Sequence, residues 1–209
     1  MTVYATIRRG ALILLITALP MASRALSPEE TVAAAERAEK GGALQQAVDL
    51  YDQFLKENPD HIQRSAVLYR MGIDLDGLGL SDRATVAFEQ ALAIPAEKTT
   101  GKHRPDCFMR LAKRQAADSK HVEAAATLEK FLKEGGTGLY EDEAQNLRAS
   151  YLTINGRYDE AAMLFIIQRN KPGSAYAKEA AYKLPVVWLK AEKYDLAKNS
   201  IEEFAMQFP

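Results

Sequence analysis

The sequence predicts an all-α fold, an α-solenoid of about five helix–turn–helix repeats, and three observations carry that expectation. The phrase "NGRYDEAAMLF" at 155–165 returns in weaker form as "AEKYDLAKNSI" at 191–201. Aligning on the shared alanine recovers five copies, at Ala47, Ala84, Ala124, Ala161 and Ala197, in steps of 37, 40, 37 and 36 residues. A second amphipathic stretch precedes every copy, so the unit is a pair of helices.

Residues 1–25 stand apart from the array. "MTVYATIRRG" carries Arg8 and Arg9 and no acid, "ALILLITALPMA" is apolar, and "ASRA" ends on small residues. Charged start, short apolar centre and small-x-small end are the parts of a secretory signal peptide. The apolar run falls short of the ~20 residues that span a bilayer as a helix. The expectation is export to the periplasm with removal of 1–25, leaving no stable membrane span; retention as an anchor is the alternative. Without Arg8, Arg9 and Arg24, 24 basic and 28 acidic residues leave a net charge of −4.

The five pairs are expected at 28–59, 61–95, 104–136, 139–172 and 174–209. Within each second helix the alanine is followed four and seven residues later by packing residues. These are Tyr51 and Phe54, Phe88 and Ala91, Leu128 and Phe131, Phe165 and Gln168, and Ile201 and Phe204. Such spacing keeps all three positions on one helical face. Pro59, Pro95, Pro172 and Pro209 follow, where a residue without an N–H stops a helix. In the first helices small residues recur at one place, Ala35, Gly72, Ala112 and Ala149, and would let the partner helix approach closely. Pro185 takes that place in the fifth pair and is expected to kink or split its helix. "AEKTTGKHRPD" reads as an extended surface loop and accounts for the longer step.

This unit resembles the tetratricopeptide repeat (TPR), whose pattern W-x2-L-G-x2-Y…A-x3-F…P covers about 34 residues. The resemblance extends over 28–209, although the first-helix Trp is missing from its usual place. It implies a right-handed solenoid whose first helices line a concave face that holds partner peptides. Carrying the register over places Val32, Glu36, Tyr69, Ile73, Met109, Lys113, Asn146, Ser150, Tyr182, Val186 and Leu189 there. Tyr69, Ile73, Met109 and Tyr182 are apolar for a solvated groove and mark a binding face; packing against the neighbouring repeat is the other reading. Chaperone-binding members clamp a terminal carboxylate with paired Lys and Asn. Val32/Glu36 and Tyr69/Ile73 stand there instead, so that partner class is not expected. The chain is similar to exported envelope members, the Tol–Pal-associated coordinator and the outer-membrane assembly lipoprotein.

The chemistry-bearing residues point away from catalysis. Cys107 is the only cysteine, so it forms no intrachain disulfide, and its position is wrong for lipid attachment. His103 and Cys107 lie four apart, but a zinc site needs further ligands that the neighbourhood lacks. The three histidines read as solvated loop and helix-start residues, and Cys107 as a half-buried small residue. "YEDE" at 140–143 reads as a solvated helix N-terminus, where acids favour the macrodipole. No nucleotide, hydrolase or zincin motif occurs. At a formal charge of −1 the chain has no basic field for nucleic acid.

The expected function is a non-enzymatic scaffold in the cell envelope, with protein or peptide partners, no metal and no cofactor. The alternative is the helical accessory region of a larger exported enzyme acting on cell wall or polysaccharide. Phe208-Pro209 closes the fifth pair without a polar capping helix, so a longer parent chain or docking through that edge is expected.

Overall fold

Ser27 and Pro28 open the helical array. Ser27 Oγ accepts from the Glu30 N–H at 3.1 Å, and the Glu30 carboxylate accepts from the Ser27 N–H at 2.8 Å. This reciprocal cap satisfies two N–H groups that a helix start leaves without intrahelical partners. The structure, a computed structural model, describes residues 26–99, 102–137 and 139–208. The leader expected at 1–25 and the helix stop at Pro209 lie outside the described residues.

Ten α-helices and one short 3-10 helix (Ala96–Lys98) make up the described residues, with no strand among them. The α-helices are α1 (Pro28–Lys40), α2 (Leu44–Glu57), α3 (Arg64–Gly77), α4 (Ser81–Ala93) and α5 (Arg104–Ala117). They continue as α6 (His121–Lys133), α7 (Leu139–Ile154), α8 (Tyr158–Asn170), α9 (Ala177–Lys190) and α10 (Tyr194–Gln207). Each helix packs chiefly on the one before and the one after it, which is the connectivity of an α-solenoid of helix–turn–helix repeats.

One turn is built five times. Gly42, Gly79, Ser119, Gly156 and Glu192 all have positive φ, between 59° and 77°, and each lies five residues before its repeat's alanine. The next N–H reaches back five residues in every case: Ala43 to Ala38, Leu80 to Leu75, Lys120 to Gln115, Arg157 to Leu152 and Lys193 to Trp188, at 2.8–2.9 Å. That bond, with the left-handed residue before it, is the Schellman ending of a helix. The first residue beyond it starts the second helix without a side-chain cap. The turn itself is therefore held by backbone hydrogen bonds.

At the crossing above the turn the repeat alanines are buried, Ala47 through Ala197. Tyr51, Phe88, Leu128 and Phe165, four residues on, have almost no exposed surface. Ala35, Gly72, Ala112 and Ala149 are buried opposite them, as expected of small residues at a close approach. A Cβ built on Gly72 would stand 2.5 Å from the Phe88 ring, so that ring occupies the space a side chain would need.

The fifth repeat departs from the pattern. Ile201, the counterpart of Phe165, is exposed, because no described helix packs on the far side of α10. Pro185 is buried inside an unbroken α9, so the helix is not split. The longer step lies between α4 and α5, where the exposed connection includes the 3-10 turn rather than being extended throughout.

Gly72→Ala is expected to lower stability by about 1 kcal/mol or more, measured by urea unfolding. Overpacking a full core by ~1–3 kcal/mol outweighs the gain in helix propensity of up to ~1 kcal/mol. Glu192→Gly is expected to raise stability by roughly 0.5–1 kcal/mol in the same assay. A left-handed residue with a Cβ carries ~1–2 kcal/mol of strain, offset in part by the entropy of glycine.

Candidate functional site

The first helix of each pair presents one row of side chains to a common face, and adjacent rows are tied by polar contacts. Arg70 of α3 meets Glu36 at 3.2 Å and Glu39 at 3.3 Å on α1. The Tyr69 hydroxyl donates to Asp106 of α5 at 2.5 Å, and Arg110 holds the same carboxylate oxygen at 2.6 Å. Lys113 of α5 reaches Glu143 of α7 at 2.6 Å. Asn146 of α7 donates to Glu179 of α9 at 2.9 Å, while Lys183 of α9 donates back to Ser150 at 3.0 Å. The face is thus a ladder of hydrogen bonds and ion pairs running from α1 to α9.

These ties shift the ionisation of their members. Burial, then the hydrogen bond to Asp106, pushes the Tyr69 phenol up to about 12. Burial opposes the charge of Asp106, but hydrogen bonds from Tyr69 and Arg110 more than offset it and hold the carboxyl below its ordinary range. Asp74, buried on α3 near Glu39 and Arg70, is pushed up to about 6, first by burial and then by the Glu39 charge. Its Oδ2 atom has no hydrogen-bond partner among the described residues.

The ladder leaves a cleft at each end. The first holds about 390 Å³ and lies between α1 and α3, walled by Val32, Glu36, Glu39, Tyr69, Arg70 and Ile73, with His103 at its edge. The second holds about 360 Å³ and lies between α7 and α9, walled by Ser150, Ile154, Tyr182, Val186 and Val187 over the Phe165 ring.

The residues expected on this face fall into three groups. Tyr182, Val186 and Leu189 are exposed, the first two in the second cleft. Glu36, Tyr69 and Ile73 are half-buried in the first cleft, and Ser150 lies in the second. Met109 and Asn146 are buried between repeats, and Val32 is buried at the wall of the first cleft. Lys113 is exposed, with its ammonium engaged by Glu143. The ladder partners Arg70, Asp106, Arg110, Glu143, Glu179 and Lys183 were not among the residues expected here. Their signal in the sequence is complementary groups on successive first helices, 30 to 37 residues apart.

Several chemistry-bearing residues have other surroundings than expected. Cys107 is fully buried, its Sγ 3.7 Å from the Phe88 carbonyl, and burial pushes its thiol up to about 12. His103 Nε2 lies 2.9 Å from Ser65 Oγ, which itself donates to the Ala91 carbonyl at 3.1 Å. That buried hydroxyl is committed to a backbone tie. His61 packs edge-on to Phe54 with ring centroids 5.2 Å apart, and His121 lies 5.9 Å from the Tyr151 ring, so the histidines are not simply solvated. In "YEDE", Asp142 is buried and bound by Lys171 at 2.6 Å rather than free at a helix start. Among the described residues no three metal-ligating side chains cluster. Asp159 of the opening phrase pairs with Lys193 of the next repeat.

No protein-family model matches the chain, and no curated protein matches it. Solved structures do. The nearly identical TPR-like repeats of a kinesin light chain from Podosopora anserina are 18% identical, with a TM-score of 0.59 over 86% of this chain and 95% of that one. YrrB, described as a TPR protein with an unusual peptide-binding site, is 17% identical, with a TM-score of 0.65 over 85% and 84%. MamA from Desulfovibrio magneticus RS-1 is 13% identical, with a TM-score of 0.61 over 86% and 93%. At these identities the likeness is one of fold, and the fold is that of the tetratricopeptide repeat.

Asp74→Asn is expected to melt at a higher temperature than the parent at pH 7, with the gap closing as the pH falls toward 4. The folded-state value lies above the ordinary 3.8, so the native protein is weakened as the pH rises through about 6 and the carboxylate charges. Thermal melts across that pH range check the sign.

Proposed function

We propose that this chain is a non-enzymatic protein-interaction scaffold of the bacterial cell envelope, exported to the periplasm, which holds a peptide or protein partner along its first-helix face. The observation that carries this reading is the pair of clefts at the ends of the polar ladder, one of them walled almost wholly by apolar side chains. Solvated ridges of a solenoid have no need of Tyr182, Val186 and Leu189 side by side in water. The peptide-binding site ascribed to YrrB, on the same fold, supports a similar use here. Export rests on the charged start, apolar centre and small-residue end of 1–25. In this reading the chain works as the Tol–Pal coordinator and assembly-lipoprotein repeat domains do, by organising other envelope proteins.

The outer face of α10, with Tyr194, Ile201 and Met206 exposed, supports a second contact. Ile201 occupies the position at which Tyr51, Phe88, Leu128 and Phe165 are buried in the four earlier repeats, so this edge would dock onto a further helical element. That element would belong to the same parent chain or to a partner, including the enzyme of which this chain would be the accessory region.

Site-specific photo-crosslinking of the full chain in its host tests the proposal. Crosslinkers at Tyr69 and Tyr182 are expected to capture a common partner in the periplasmic fraction, with none captured from Val86 or Met163 on second helices. The captured chain is expected to have lost residues 1–25 by mass spectrometry. Capture from Val86 and Met163 alone would overturn the face assignment, and an intact Met1 would overturn cleavage.

A further inference from the structure

The helix that walls the second cleft, α9, sets an exposed apolar stripe beside an excess of lysines. On α9 the side chains of Tyr182, Val186 and Leu189 are 65%, 44% and 49% exposed, and spacings of four and three put them in one stripe. At about 3.6 residues per turn, Lys178 continues that stripe one turn ahead of Tyr182, and Lys183 and Lys190 lie along one side of it. Glu179 is the single acid of the helix, and it is engaged by Lys183 at 2.5 Å and by Asn146 at 2.9 Å. Lys178 and Lys190 are exposed and have no carboxylate within 4 Å among the described residues. An apolar stripe in water is therefore flanked by ammonium groups that nothing described here neutralises.

The first cleft is different. There Arg70 is already matched by Glu36 and Glu39, and Tyr69 by Asp106, and Lys102 at the rim is its one lysine. Two unmatched lysines beside one exposed apolar stripe are found at the α7–α9 end.

We propose that the α7–α9 cleft binds an acidic amphipathic segment of a partner protein. Bulky apolar side chains of that segment enter the roughly 360 Å³ between Ile154, Tyr182 and Val186, where Lys183 lies over the Phe165 ring, and flanking carboxylates pair with Lys178 and Lys190. This rests on the reading that the first-helix face is where partners bind, and adds the chemistry that one end of it recognises. A basic segment would meet like charge at the start of the stripe and along one side of it. A bilayer would present a broad surface to a narrow recess between two helices. The contact needs no terminal carboxylate, because the lysines are spread along the stripe and not gathered at one end of it.

The test uses the full chain and three fluorescein-labelled helical peptides. One carries Leu and Phe on one face with Glu on the flanks, one has the Glu replaced by Lys, and one has the Leu and Phe replaced by Ser. The Glu-flanked peptide is expected to bind, and the other two to bind more weakly by up to about tenfold, one having lost its ion pairs and the other its apolar contact. Val186→Glu is expected to abolish binding. The double reversal Lys178→Glu/Lys190→Glu is expected to weaken the Glu-flanked peptide about tenfold and to admit the Lys-flanked one. Ile73→Ala, in the other cleft, is expected to change nothing. Circular dichroism confirms that each surface variant folds.

Equal binding of the Glu- and Lys-flanked peptides, or no response to the double reversal, would overturn the acidic assignment while crosslinking from Tyr69 and Tyr182 keeps the general reading. Loss of binding on Ile73→Ala with none on Val186→Glu would overturn the location. Sedimentation with phosphatidylglycerol vesicles that is blocked by Val186→Glu, without peptide binding, would overturn the partner class in favour of an anionic lipid surface.

Discussion

The architecture depends on how closely two helices approach at one crossing. Ala47, Ala84, Ala124, Ala161 and Ala197 are buried where the first helix of each pair passes over the second, and small residues face them in four of the five pairs. Interiors are packed to the density of organic crystals, so a larger side chain there would push the helices apart. The rings of Tyr51, Phe88 and Phe165, one turn further on, would lose their contacts first. The same spacing brings the inner face into register: Tyr69 reaches Asp106 and Lys113 reaches Glu143 only because successive first helices stand a fixed distance apart.

The repeat was legible because both its parts are local. The period follows from a helix length and a turn, and the turn follows from one backbone conformation that Gly42, Gly79 and Gly156 announce. Ser119 and Glu192 adopt it without being glycine, so in those two repeats the alanine carried the register and the turn residue carried none. Gly72 illustrates a second limit: its smallness was visible in the sequence, but the reason, the Phe88 ring in its place, comes from the next helix.

The site was legible in outline only. Register identifies which residues of a first helix share one side, and Tyr182, Val186 and Leu189, placed together in that way, are exposed. It does not say how deeply the neighbouring repeat covers that side. Met109 and Asn146 occupy the same register and are buried because α5 and α7 each have first helices on both flanks, whereas α9 has one described neighbour of that kind, α7. The ladder escaped because its members are ordinary charged residues, and only pairing across about one repeat distinguishes them from solvated ones. Buried groups such as Asp74 and Cys107 escaped for a related reason: their burial comes from elements distant in sequence.

Neighbour-only packing has a consequence for binding along the molecule. Each helix exchanges contacts chiefly with the helices beside it, so the chain behaves as a line of linked units whose buried cluster runs on from pair to pair. The α1–α3 and α7–α9 clefts share no residue and lie at opposite ends of that line. A ligand long enough to occupy both would gain through effective concentration, set by the span between them.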